Sequence, residues 1–145
     1  MATLFTKIID GEIPARFVWR DERAVAFLTI APITPGHTLV VPVAEVDHWL
    51  DLDGDLAAHL MGVTQAVGRA QMAAFAPARI GMIIAGLEVP HCHLHAIPIE
   101  TEADLSFAKA DPSPDPAGLD AAADRLRAAL RDQGHAERVP ASGAA

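Results

Sequence analysis

The chain has 145 residues, 51% of them hydrophobic and 21% charged, which is enough for one domain with an ordinary core and too apolar for a wholly disordered chain. Lys and Arg number 11 against 19 Asp and Glu, so the net charge is −8, the reverse of a protein that coats nucleic-acid phosphates. A single cysteine, Cys92, excludes an internal disulfide and a CxxC zinc ribbon, and the apolar runs are too short and too interrupted to span a bilayer.

Residues 1–14 are apolar, turn at Asp10-Gly11 and end at Pro14. They lack the basic start, apolar stretch and cleavage site of a secretory signal, so the expectation is a cytoplasmic protein. Phe17–Arg20 alternates as a strand, Asp21-Glu22-Arg23 turns, and Ala24–Leu28 returns, which together predict a hairpin. Pro32, Pro35 and Gly36 punctuate a loop. Thr38–Pro42 is continuously apolar, as a central strand would be. Asp53 or Asp55 can cap a helix, and Leu56, Leu60, Val63, Val67, Ala70 and Ala74 then form one apolar stripe ending near Phe75, before Pro77. A fourth strand is predicted over 80–85, a turn over 86–90 and a fifth strand over 91–97.

Residues 98–116 read as irregular, and Leu119, Ala123, Leu126 and Leu130 mark a second helix. From Gly134 to Ala145 the pattern is that of a disordered tail, which leaves one domain over residues 1–133. The fold class expected is α+β: a five-stranded antiparallel sheet with one long central helix and a C-terminal helix.

Three of the seven histidines fall in His91-Cys92-His93-Leu94-His95. On a strand, alternate residues share a face, so the three imidazoles align while Cys92, Leu94 and Ala96 point into the core. At roughly 3.3 Å per residue the outer two α-carbons stand roughly 13 Å apart. A zinc site built from this strand alone is therefore excluded; a metal would need a ligand from elsewhere, with His37 the best candidate. Aligned histidines suit acid–base and nucleophilic work on phosphorus, where a neutral imidazole attacks and its neighbours stabilise developing charge. His48, His59 and His135 read as ordinary surface or helix-flank residues, and Cys92 as a small core residue.

His91-Cys92-His93-Leu94-His95-Ala96-Ile97 resembles the motif of the histidine triad (HIT) family, His-φ-His-φ-His-φ-φ with φ apolar. Phe5-Thr6-Lys7-Ile8-Ile9-Asp10-Gly11-Glu12-Ile13-Pro14 is similar to the family's N-terminal signature. Ala26-Phe27-Leu28-Thr29-Ile30-Ala31-Pro32 followed by Gly36-His37-Thr38-Leu39-Val40-Val41-Pro42 is similar to its central one. The resemblance covers about the first 100 residues and implies a HIT-like fold, a homodimer with joined sheets, a small-molecule nucleotide substrate and no cofactor, with no nucleic-acid or membrane partner expected.

By the same resemblance, His93 attacks the α-phosphorus of a nucleotide conjugate, a phosphoramidate or a dinucleoside polyphosphate for example, and forms a covalent nucleotidyl-histidine. His95 contacts phosphate oxygens or helps the leaving group, and His91 and His37 orient the nucleophile. His95, rather than a glutamine, is similar to the hydrolase branches. Leu4, Phe5, Ile8, Phe27 and Ile30 would line the base pocket, with plain core packing as the competing reading. Thr29 stands where the family usually holds the ribose with an aspartate. The loop Ile83–Pro90 departs from the family, with Leu87 for a glutamine and an acidic Glu88. Two other classes stay open: a nucleotide-binding regulatory protein with little turnover, and a zinc-dependent hydrolase using His37 and two triad histidines.

Overall fold

The computed structural model describes residues 1–141. Asp21 builds the first hairpin: its Oδ1 accepts the N–H of Arg23 and of Ala24, and its Oδ2 accepts the Trp19 indole N–H. The turn joins β1 (Phe17–Arg20) to β2 (Ala24–Leu28). With β3 (Thr38–Pro42), β4 (Arg79–Ile83) and β5 (Leu94–Ile99) they form one antiparallel sheet in the order β1-β2-β3-β5-β4.

Every residue of β2, β3 and β5 is buried because both faces of the sheet are covered. Val18, Ala24, Ala26, Leu28, Val40, Leu94 and Ala96 pack with the helices α2 (Gly54–Phe75) and α3 (Pro116–Leu130) in the larger core. The alternate residues Phe17, Val25, Phe27, Leu39 and Val41 face the other way and pack with Phe5 and Ile8 of a short N-terminal helix, α1 (Leu4–Ile9). The period of two along each strand thus separates a structural face from the face that carries the histidines.

Asp53 caps α2 by accepting the Leu56 N–H, and the helix ends at Ala76, in the left-handed region at φ 47, just before Pro77. The stripe runs as expected, with Leu60, Val63, Val67 and Ala70 buried and Leu56 and Ala74 partly so. Asp115 caps α3, with Pro116 in its first turn.

Four elements differ from expectation. The short α1 was not expected; Thr3 caps it by accepting the Thr6 N–H, and its six residues are too few to display a helical stripe. Strand β4 covers 79–83 instead of 80–85. Strand β5 covers 94–99 instead of 91–97, since the Cys92 N–H bonds to the Val46 carbonyl and pairing with β3 begins only at Leu94 opposite Val40. Pro98 is tolerated there because the β3 pairing has already ended at Ala96. The tail expected from Gly134 is seated on the body: α3 runs on through short helical turns, the His135 ring stands 5.1 Å from the Trp19 ring, and Val139 packs on the larger core. Ser142–Ala145, at the end of that expected tail, lie outside the described residues. The irregular stretch over 98–116 holds only two short turns, Glu102–Asp104 and Phe107–Lys109. Among the described residues, no helix is long and apolar enough to cross a membrane.

Candidate functional site

His93 follows a backbone carbonyl that fixes its proton. Its Nδ1 lies 2.8 Å from the His91 carbonyl oxygen, which can only accept, so Nδ1 carries the hydrogen and the Nε2 lone pair is free. A second chain of bonds fixes the neighbouring rings. The Ile33 N–H donates to His37 Nδ1 at 3.0 Å, which puts the His37 proton on Nε2. His37 Nε2 is 2.9 Å from His95 Nδ1 and donates to it, so His95 holds its own proton on Nε2. His93 thus offers a lone pair and His95 an N–H, on rings whose centroids are 5.0 Å apart.

His91 stands behind this pair. Its Nε2 donates to the Pro42 carbonyl at 2.7 Å, and its Nδ1 takes the Thr3 hydroxyl at 2.7 Å. Thr3 is thereby both the cap of α1 and the partner of His91, and Glu45 fastens the same corner by accepting from the Thr3 N–H and the Thr6 hydroxyl. The three aligned imidazoles of the sequence reading keep their common face, opposite Cys92, Leu94 and Ala96, although only His95 belongs to the paired strand.

Burial favours the neutral form of His37, His93 and His95. It lowers the pKa of His37 from 6.5 to about 4 and that of His95 from 6.5 to about 3, the latter with help from its histidine neighbours. Burial also lowers His93, partly offset by its bond to the His91 carbonyl.

A cavity of about 400 Å³ opens on the pair, lined by Thr29, His37, His93, His95, Glu88 and Phe107 among others. Of the expected ribose and base contacts, only Thr29 reaches this lining, and its hydroxyl already accepts the Ala31 N–H. Phe5, Ile8 and Phe27 belong to the smaller core, where the Phe5 ring props His91 and His93 edge-on at 5.7 and 4.9 Å. Leu4 and Ile30 are 46% and 77% exposed and do not line the cavity.

Two contributors escaped the sequence reading. Phe107, in a segment without periodicity, lies 4.9 Å from the His95 ring; a lone aromatic among Ala, Lys and Asp was its only signal. Thr3 could have been noticed as a helix cap only if the short α1 had been expected.

The pattern of the HIT domain matches residues 10–102, which hold all four histidines of the site. The chain belongs to the HIT domain family. This HIT protein is 40% identical over 99 residues to an uncharacterized HIT-like protein of Methanocaldococcus jannaschii, covering 66% of this chain and 77% of that one. Its structure resembles a zinc-bound histidine triad family protein from Mycobacterium smegmatis with a TM-score of 0.80 and 30% identity, over 94% of this chain and 98% of the other. A hypothetical histidine triad nucleotide-binding protein from Sulfolobus tokodaii superposes with a TM-score of 0.78 at 26% identity, over 88% and 91% of the two chains. The family match ends at residue 102, so Phe107 is brought to the cavity of this HIT protein by chain beyond it.

Proposed function

We propose that this HIT protein hydrolyses a nucleotide conjugate at its α-phosphorus through a covalent nucleotidyl-His93 intermediate. The observation that carries this reading is the fixed tautomer of His93, with its Nε2 lone pair free beside the Nε2–H of His95. The nucleophile attacks phosphorus, a P–Nε2 bond forms, and the bond to the leaving group breaks with its electron pair. The leaving group takes a proton from water. The His93 ring becomes cationic in this step, and its Nδ1–H points at the His91 carbonyl oxygen, which stabilises that charge. His95 donates to a phosphoryl oxygen as charge grows there. Water then attacks the same phosphorus, the P–Nε2 bond breaks, its pair returns to His93, and nucleoside monophosphate and a proton leave.

A zinc ion does not fit the same histidines. Two zinc–nitrogen bonds of about 2.0 Å at a tetrahedral angle hold their nitrogens roughly 3.3 Å apart. The facing His37 and His95 nitrogens are 2.9 Å apart and share a hydrogen, and no three His, Cys, Asp or Glu among the described residues are grouped to hold a metal.

The Phe107 ring packed on His95 supports a second reading, a nucleotide-binding protein with little turnover. The two separate on one experiment. Purified protein is offered nucleoside phosphoramidates and dinucleoside polyphosphates, acid-quenched at short times and weighed intact. Turnover with a nucleoside monophosphate adduct on the chain supports hydrolysis; tight binding without adduct or product supports the second reading. We further propose a homodimer joined through β4, an edge of the sheet that exposes Met82. Light scattering at twice the chain mass supports it.

A further inference from the structure

Gln71 occupies a position where an apolar residue would be expected. It falls four residues after Val67 and three before Ala74, within the stripe that α2 turns to the sheet, and it is fully buried. Its side-chain nitrogen has two hydrogens and both are used: Nε2 lies 2.9 Å from the Gly36 carbonyl oxygen and 2.9 Å from that of Ala96. Its Oε1 is buried with no partner among the described residues. A buried acceptor left without a donor is costly, and a leucine or methionine would fill the space without that penalty. Packing alone therefore does not account for a glutamine here.

The two carbonyls it grips are informative. Gly36 immediately precedes His37 in the turn that leads into β3, and Ala96 immediately follows His95 on the neighbouring strand β5. Gly36 is also the left-handed turn residue at φ +89 from which His37 departs, and a carbonyl in such a turn is free to tilt unless it is held. Thr38 Oγ1 donates to the same Gly36 oxygen at 2.8 Å. One amide thus ties together the backbones on which the two bonded imidazoles are mounted.

We propose that Gln71 is a positioning residue that sets the separation of His37 and His95 and thereby holds His95 in the tautomer with its hydrogen on Nε2. The link to turnover rests on the hydrolase reading above; the link to the imidazoles does not. Among the described residues Gln71 makes no hydrogen bond to either ring. It acts through Gly36 and Ala96 by fixing where the two rings meet. Misplacing a catalytic group by an ångström can cost about 100-fold in rate, so a partial loosening is expected to lower kcat about 10-fold with KM little changed.

The test uses Gln71→Met and Gln71→Leu in the full chain, with folding checked by circular dichroism. Histidine ring ¹⁵N spectra at neutral pH read the tautomers directly, without any substrate. The expected result is a single His95 tautomer in the unaltered protein and a mixture in the variants, with a lowered kcat and a nearly constant KM. Folded variants with unaltered ring signals overturn the proposal, because a purely structural glutamine would leave the tautomers alone. If neither variant folds, Gln71→Asn, whose shorter amide cannot reach both carbonyls, is read in the same way: a mixture of His95 tautomers supports the proposal, and a single unaltered tautomer overturns it. Absence of turnover on every nucleotide conjugate, together with tautomers that depend on Gln71, would sink the hydrolase reading and leave this one standing.

Discussion

In the proposed reaction His93 is the nucleophile, and its tautomer is imposed by a backbone carbonyl that cannot reverse the bond. His93→Ala is expected to abolish turnover and adduct formation together. His59 provides the contrast: its Nε2 bonds Asp21 Oδ2 at 2.8 Å beside the first hairpin, away from the cavity. His59→Ala should cost about 0.5–1.5 kcal/mol of stability, as a typical hydrogen bond does, and leave kcat in place. Thr29 lines the cavity and satisfies only the Ala31 N–H. A carboxylate there can accept both ribose hydroxyls at about 1.5–3 kcal/mol per charged bond, against repulsion from Glu88 on the same lining. Thr29→Asp should therefore tighten nucleoside monophosphate roughly 10-fold or more, and calorimetric titration with AMP and GMP reads it directly.

The neutral histidines also set a pH dependence. In the unfolded chain His37 and His95 protonate near 6.5, while in the folded chain burial holds them at about 4 and about 3. Between those values the unfolded state binds more protons, so stability must fall as pH falls from about 6.5 and be level above it. Carboxylates titrate lower, which leaves the window from pH 6.5 to 5 to the histidines. Denaturant midpoints across that window check the slope, and His95→Gln should flatten it.

At the scale of the element, the turn before β3 decides where His37 stands. Gly36 has φ +89, and a Cβ on it would clash with the Phe75 ring of α2. Left-handed strain costs about 1–3 kcal/mol, and the clash with a ring packed on the core adds to it. Gly36→Ala is thus expected to lower the melting temperature by several degrees and depress turnover further than its stability loss explains; a variant with unchanged melting would show that Phe75 moves aside freely. The helix α2 therefore meets this corner twice, with Phe75 bounding the glycine and Gln71 holding its carbonyl.

Across the whole molecule, the segments flanking the family match complete the site. The N-terminal α1 covers the histidine face with Phe5 and Ile8, and the chain after residue 102 returns to place Phe107 on His95. The C-terminal end is anchored by His135 on Trp19 and by Val139 on the larger core. Burying part of a valine contributes about 1 kcal/mol, which for a domain of this size is roughly 2–4 °C. A chain ending at residue 133 should melt lower by about that amount, while one ending at 140 should melt like the full chain. Equal melting of all three would show that the anchoring contacts contribute nothing.

The sheet, its two long helices and the run of histidines were legible because each leaves a local mark. Strands alternate, α2 repeats at 3.6 residues between Asp53 and Pro77, and three histidines spaced by two on one face are hard to explain by packing. The bounds of β5 were misjudged for a non-local reason: the Cys92 N–H found a partner in Val46, far away in sequence. The same limit hid the rest of the site. The base-pocket expectation divided, with Phe5, Ile8 and Phe27 in the core and Leu4 and Ile30 exposed, because apolar character does not say which side of a packed sheet a residue meets. The sequence alone determined that aligned imidazoles would be presented on one face. Which nitrogen of each carries the proton was decided only by tertiary contacts, through the carbonyl of His91, the N–H of Ile33 and the reach of His37 to His95, since a tautomer follows from the bond its other nitrogen makes and those partners meet only when the chain has folded.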